Sequence, residues 1–598
     1  MTAAAARIAL VAHRDARGEL GERVELLIDG LREIADRIVL VADSLGPDAR
    51  ARAESVADRV VVAPVGSALA LIAAGLASVA DELRDAASVL VTDTERYGPC
   101  PRGLALAQIV AQRAPEVGAW IWAETAPRQE LEPSPWIWAD REAVASETWR
   151  SWWRGAREDR GARGLHELVT ALRRAGIPVA ALHTAPDERI ERLTLERPES
   201  TPPFIERLLL TADPLALEEQ ALRSREASSA LRLGGYSMAV VGRDVHGAVP
   251  PRQAATSLGA LAILGRRRER AGAGLRVAAL THIYHPESLA ALQLALQDLP
   301  PETTWIITTG SEAAKAIIER DLEEHALIPG PREIDVRVVA SNRGRDVSAF
   351  LIACADILRP GPGGSYPHDV VLKLHSKRSP QDPYARAQAF QHHVVRSLTG
   401  SLAELLQLFV DEPELGMAMP PQIHVGYPTL GRAWFGNRPE AERLAGRLGI
   451  DVPFDDGSPL ATFGSMFAAR PAALRPLVDA LGWQDFPDES GYRDGGVAHA
   501  VERLFAYAAI SEGYTVRTVT TAEIAAESHQ LLEWKLQTIL EDVPGTSRQQ
   551  VQLARVATRA AAVPAGAVVR AARSAGRLRG GLARGARDAL GRLRGQDG

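Results

Sequence analysis

Apolar, β-branched residues recur along this chain in short runs of about six, separated by longer segments in which apolar positions return every three to four residues. The first series is "RIALVA" (7–12), "RIVLVADS" (37–44), "DRVVVAP" (58–64) and "SVLVTD" (88–93). The second is "RVAALTH" (276–282), "TWIITTGS" (304–311), "DVRVVAS" (335–341) and "DVVLKLH" (369–375). Near-continuous apolar runs bounded by helical periodicity predict parallel strands buried on both faces, joined by crossover helices. Both series therefore read as βαβ units.

The two series also correspond in detail. His13 ends the first run of one and His282 the first run of the other, and "PWIWADREAV" (135–144) parallels "FGSMFAARPAAL" (463–474). A duplicated α/β domain accounts for this. The expected organisation is a first domain over 1–155, a helical connector over 156–272, a second domain over 273–540 and a basic tail over 541–598. With 598 residues the chain is too long for one hydrophobic core. Its net charge of −6 hides an asymmetry: residues 551–598 carry ten Arg against two Asp, which leaves the body acidic. Two cysteines, Cys100 and Cys354, make no disulfide framework and fit a reducing compartment. No signal-peptide pattern opens the chain and no apolar run is long enough to span a bilayer, so the expected location is cytoplasmic.

Chemistry is expected where the strands end, because ligands of open α/β sheets bind outside the carboxyl ends of the strands. There the second series is richly polar. "SNRGRDVSAF" offers Gly344 for a tight turn, Arg343 and Arg345 as phosphate-directed forks, and Asp346 either as a helix cap or as a partner for a sugar or nucleoside hydroxyl. "VVLKLHSKRSP" (370–380) ends a core strand in His375, Lys377 and Arg378, with Lys373 interrupting the apolar run. Such a rim is either an exposed basic loop or a seat for a diphosphate. The first series has Ala68 where Asp346 would fall, and its "DTER" (93–96) holds only a short acidic pair, Asp93 and Glu95. A third cluster, "DESGYRDGGVAHAVERLFAYA" (488–508), sets Asp494 before two glycines and a helix. On that helix Val497, Val501, Leu504 and Phe505 face the core, and His499, Glu502 and Arg503 lie together at i, i+3 and i+4. Asp494 reads there as a helix cap or as a base, and the trio as a solvated face or part of the site.

"THIYHPE", "NRGRDVSAFL", "DVVLKLHSKRSP", "FGSMFAARPAALRPL" and "DGGVAHAVERLF" occur in this order over 276–508 and resemble the rhamnan synthesis F family of bacterial glycosyltransferases. The first series resembles the N-terminal segment of long members, including "YGPC" (97–100) and "ETWRSWW", but departs from them at "VGSALAL". The resemblance implies two tandem GT-A-like (Rossmann-like, mostly parallel sheet) α/β domains, the first degenerate. It implies inverting transfer of a sugar, L-rhamnose from a dTDP-rhamnose donor, onto a cell-surface polysaccharide or lipid-linked glycan. His282, Asn342, Arg343, Gly344, Arg345, Asp346, His375 and Lys377 are the expected donor-binding residues. Asp494, with Glu489 second and Asp488 third, is the expected catalytic base, because Gly495 and Gly496 leave room for an acceptor. Ser465, His499, Glu502 and Arg503 serve the acceptor or the structure behind it. "HSK" stands where many GT-A enzymes carry a metal-binding acidic pair, which leaves the divalent-metal requirement open. The Arg-rich tail suits an anionic membrane surface on the inner face of the cell membrane, where other polysaccharide-assembly enzymes would also be met.

Three other classes compete. A non-catalytic carbohydrate-binding or scaffold protein would lose the carboxylates that the second series keeps. A glycoside hydrolase would leave the basic rim unexplained. Nucleic-acid binding finds no aromatic stacking motif and an acidic body.

Overall fold

The computed structural model describes residues 5–65, 67–100, 118–123, 136–158, 165–183, 204–265, 274–325, 333–376, 384–488 and 495–562. They fall into two compact units, Met1–Leu217 with Leu222–Ser528, and Glu218–Ala221 with His529–Gly598.

The first unit contains two large sheets. One is built from β1 (Arg7–His13), β2 (Arg37–Ala42), β3 (Arg59–Val62), β4 (Ser88–Asp93), β6 (Ala119–Ala123), β7 (Trp136–Asp140) and β8 (Val179–His183), in the order β3-β2-β1-β4-β7-β6-β8. β5 (Arg96–Tyr97) and β9 (Ile205–Glu206) form a separate two-stranded ribbon. The other large sheet takes β10 (Leu261–Leu264), β11 (Val277–His282), β12 (Thr304–Thr309), β13 (Glu333–Val338), β14 (Val370–His375), β15 (Leu415–Met419), β16 (Phe467–Ala469) and β17 (Thr515–Thr521), in the order β10-β17-β15-β16-β14-β11-β12-β13.

Numbered within itself and with β10 set aside, each large sheet runs 3-2-1-4-6-5-7, and in each only the sixth strand is antiparallel to its neighbours. The duplication read from the apolar runs is thus a duplication of topology. "PWIWADREAV" and "FGSMFAARPAAL" correspond because each supplies that antiparallel strand, β7 or β16.

The segment expected to be a connector contributes more than helices. It gives β8 to the first sheet, paired with β6, and β10 to the second, paired with β17. A boundary at 155 therefore cuts the first sheet, and one at 273 removes an edge strand from the second. Both strands are short, and their apolar runs, "VAAL" and "LAIL", directly follow helical segments, with whose apolar periodicity they merge.

Burial follows the period of two. Val277, Ala279, Val370, Leu372 and Leu374 pack into one core, and Ala278, Leu280 and Val371 into another on the opposite face. Lys373 shares its face with Val371 and so points into the second of these cores, beside Phe350, Phe467 and Phe505. Phe467 lies edge-on to Phe350 at 5.6 Å between ring centroids and tilted against Phe505 at 4.7 Å.

The second unit, taken by itself, contains helix Ser547–Ala562, whose first turn is tied to Glu218 and Glu219 through Ser547, Thr546 and Arg548. Residues 563–598, most of the basic tail, lie outside the described residues. Among the described residues no helix is long and apolar enough to cross a membrane.

Candidate active site

The order of the second sheet reverses between β11 and β14, whose ends, His282 and His375, are register partners. At such a switch point the carboxyl ends of the strands open into a crevice. The loop after β13 arrives there through Gly344, at φ +73°, where an added Cβ would stand 2.4 Å from the Phe486 ring. Only glycine fits. Arg345 follows at φ +54°, a left-handed conformation rare outside glycine. The loop before β16 repeats the device: Gly464 at φ +87° packs where a Cβ would meet Phe390 at 2.7 Å, and Ser465 follows at φ +49°. Two strained dipeptides facing one cluster mark a place where the fold holds side chains against local preference.

Lys373 is 1% exposed, and its ammonium donates to Asp346 Oδ2 at 2.6 Å, to the Ser465 carbonyl at 2.6 Å and to Ser465 Oγ at 3.2 Å. Ser465 Oγ donates in turn to Asp346 Oδ2, and His375 Nε2 lies 3.8 Å from the same oxygen. His375 Nε2 also donates to the Gly464 carbonyl at 2.8 Å. Burial alone would push the Asp346 carboxyl up, but the charges of His375 and Lys373 and the bonds from Lys373 and Ser465 hold it well below the usual carboxylate range. Each of these partners engages Oδ2.

His282 stands beside this cluster. Burial lowers its pKa to about 4, helped by the charges of His375 and Lys373 and opposed by Asp346, so the ring is neutral near pH 7. The Thr308 hydroxyl donates to the Thr281 carbonyl at 3.3 Å, so at 3.0 Å it accepts from His282 Nδ1–H. The hydrogen-bond network assigns the proton to Nδ1 and leaves Nε2 as an acceptor. Buried His246 is also lowered to about 4, by desolvation. The unfolded chain binds these protons near the ordinary value of 6.5, whereas the folded chain resists them down to about 4. Their stabilisation is therefore fully present above pH 6.5 and is lost as pH falls towards 4, by at most about 3 kcal/mol for each. Urea unfolding at pH 7 and pH 4.5 is expected to show this loss, and His246→Gln to remove part of it.

The third cluster is joined to the first from behind. Glu502 Oε1 accepts the Gly464 backbone N–H at 2.6 Å, and its other oxygen takes Arg503 at 2.7 Å. Arg503 is buried, 5.2 Å over the Phe463 ring, and reaches the His499 carbonyl at 3.3 Å. Glu502 and Arg503 are thus a brace for the Gly464–Ser465 turn, which corrects the solvated-face reading. His499 takes part through its carbonyl, which accepts from Arg503. Ser465 is placed within the cluster by its bonds to Lys373 and Asp346. Arg343 is engaged by Asp488 through two bonds of 2.9 and 2.7 Å on the surface, which lowers the pKa of Asp488 and makes it a poor base. Asn342 and Arg345 are exposed at the mouth. The helix Val497–Ser511 has Gly496 at its N-cap, so Asp494 is not the cap residue. Lys377, Arg378, Glu489 and Asp494 themselves lie outside the described residues.

Residue-by-residue reading missed the part played by Lys373, noting only that it interrupts an apolar run, and it missed Thr308 and Gly464. A lysine in a run buried on both faces was the available signal, since such a charge must be paired.

Among the described residues the first sheet has no such constellation. His13 uses both ring nitrogens, with Thr94 Oγ1 at 3.0 Å and the Glu19 carbonyl at 2.7 Å. Asp93 accepts the Glu95 N–H at 3.1 Å, and Glu95 pairs with Arg207 at 3.1 Å, so "DTER" is spent on structure. Arg207 and Arg23 also meet Asp244, at 2.8 and 3.2 Å, with the Tyr97 hydroxyl at 2.6 Å.

A groove of about 790 Å³ lies elsewhere, between helices Leu289–Leu296 and Tyr384–Thr399, and touches none of the strand-end residues. Its lining mixes alanines, glutamines and exposed Leu294 with His392, His393, Arg396 and Glu527, none of which stands at a strand end of the switch point. The strand-end cluster is the better candidate on chemistry.

Residues 236–514 match the rhamnan synthesis protein F family. The uncharacterised protein WxcX of Xanthomonas campestris pv. campestris, in two strains, is 35% identical over 183 residues, which are 30% of this chain and 24% of WxcX. The chain thus aligns with about a quarter of the length of these curated relatives. Among solved structures, the glycosyltransferase GlyE of Streptococcus pneumoniae TIGR4 is similar at 12% identity over 64% of this chain and 89% of GlyE, with a TM-score of 0.23. Glucosyl-3-phosphoglycerate synthase of Mycobacterium tuberculosis, solved with Mn²⁺, UDP and glucosyl-3-phosphoglycerate, is similar at 14% identity over 46% of this chain and 86% of the synthase, with a TM-score of 0.20.

Proposed function

We propose, from the premise that residues 236–514 are a rhamnan synthesis protein F region, that the second sheet carries the active site of a glycosyltransferase of cell-surface polysaccharide synthesis. The observation that carries the reading is the Asp346–Lys373–His375–Ser465 cluster at the switch point, held by two strained loops. A nucleotide-sugar donor would lie across these strand ends. His282 Nε2 and the mouth residues Asn342 and Arg345 would meet it, and Lys377 would add charge towards the diphosphate. Asp346 would act through Oδ1.

The finer reading is inverting transfer of L-rhamnose from dTDP-rhamnose to a polysaccharide or lipid-linked acceptor. A direct displacement of that kind needs a base opposite the diphosphate, for which Asp494 is the first choice and Glu489 the second. The first sheet, with His13, Asp93 and Glu95 all engaged in structure, is read as holding the acceptor or docking a partner. The basic tail is read as the contact with an anionic membrane.

The experiment is thermal melting of the full chain with a panel of nucleotide sugars, because a bound donor raises the melting temperature. dTDP-rhamnose is expected to stabilise most. Lys377→Ala is expected to lose more affinity at low salt than at high salt. If no nucleotide sugar shifts the melt, the reading falls and the non-catalytic carbohydrate-binding alternative takes its place.

A further inference from the structure

We infer that the Lys373 ammonium takes the place of a divalent cation in this site, so that a nucleoside diphosphate binds here without Mg²⁺ or Mn²⁺. The inference rests on the donor-site reading above and gives an answer to the metal question that "HSK" opens.

A hard divalent cation needs several oxygens converging on one point, with at least one carboxylate open to it. Converging oxygens are present: Asp346 Oδ2, the Ser465 carbonyl and Ser465 Oγ come from two different loops to within 2.6, 2.6 and 3.2 Å of one centre. That centre is Lys373 Nζ. An ammonium has three donors, and here three oxygens take them. Its work is that of a bound cation: it neutralises the carboxylate and ties the Gly344–Arg345 turn to the Gly464–Ser465 turn, both of which hold a non-glycine residue at positive φ.

The remaining described groups do not fit a metal. His375 Nε2, on the same Asp346 oxygen at 3.8 Å, gives its bond to the Gly464 carbonyl and is no free ligand. Asp488 is held by both arms of Arg343. Among the described residues no group of three His, Cys, Asp or Glu side chains could hold an ion. A divalent ion reaching Asp346 would have to displace Lys373 or sit against its charge, and a buried lysine on a core strand has nowhere else to go. Lys373 and Asp346 therefore form a closed, internally neutralised pair, which leaves the diphosphate facing neither a bare carboxylate nor a seat for a divalent ion.

The test is calorimetric titration of the full chain with UDP and with dTDP, first in EDTA and then in excess Mn²⁺ or Mg²⁺. Equal affinity under both conditions is the expected result. Affinity about tenfold or more tighter with the metal would overturn the inference and leave the donor-site reading standing. Absence of binding under both conditions would remove the donor-site reading and this inference with it. Lys373→Met supplies a second arm: it is expected to bind about tenfold or more weakly in EDTA and to recover with Mn²⁺, because Asp346 is then open to a cation. Unchanged affinity of Lys373→Met in EDTA counts against the inference. If that variant does not fold, the comparison on the unaltered chain decides alone.

Discussion

Asp494→Asn is expected to lower turnover by about 10²- to 10⁴-fold with donor affinity nearly unchanged, the signature of losing a base that acts only in the transition state. In the inverting reading proposed above the acceptor hydroxyl loses its proton on the side away from the diphosphate, and the sequence supplies acids for this in the stretch before helix Val497–Ser511. Of its three acids, Asp488 is held by Arg343 and its basicity is reduced. The described chain resumes at Gly495, whose N–H donates to Oδ1 of fully buried Asn437 at 2.9 Å. Gly496, the next residue, caps the helix. Asparagine keeps the size of aspartate, so folding is spared and only proton transfer is removed. Steady-state kinetics on a soluble acceptor, with donor binding measured separately, make the test. Normal turnover in Asp494→Asn together with a loss in Glu489→Gln would move the base to Glu489.

The second large effect is on stability. Lys373→Met is expected to destabilise the fold by about 3–5 kcal/mol, because it leaves the Asp346 charge inside the protein without its ammonium. Methionine nearly fills the volume, so the cost is electrostatic rather than a cavity. The double variant Lys373→Met with Asp346→Leu is expected to recover much of the loss, since removing both charges also removes the desolvation penalty. The pH dependence gives an independent check. With Lys373 present, the depressed Asp346 pKa means that its stabilisation is complete above the ordinary carboxylate range and fades as pH falls below it. In Lys373→Met burial pushes the carboxyl the other way, so the gap between the two proteins should narrow as the medium is acidified. A gap that is constant with pH, or a double variant no more stable than the single, would show that the pair does not hold these loops.

The strands, their parallel direction and the duplication were legible in the chain because a strand buried on both faces must be apolar throughout its length, whatever it packs against. The gathering of polar residues at one strand-end rim was legible too, since those after "RVAALTH", "DVRVVAS" and "DVVLKLH" had to lie where those strands end. Glycine at 344 announced a turn for the same local reason. None of these inferences needs a partner distant in sequence.

What the tertiary structure decided was which charges remain for function, because that depends on partners far along the chain. Lys373 meets Asp346 across 27 positions and Ser465 across 92. Those contacts turn an apparent interruption of a strand into the centre of the site. Glu502 meets the Gly464 N–H across 38 positions, which makes part of a helix surface into a brace. Arg207 meets Glu95 across 112 and takes "DTER" out of contention. β8 and β10 became strands only because an edge of each sheet was open to them, as short segments form strands when a neighbour supplies the hydrogen bonds. Local pattern determines elements because their burial and periodicity are local; the use of an ionisable group is set by its neighbours in space, and only folding chooses them.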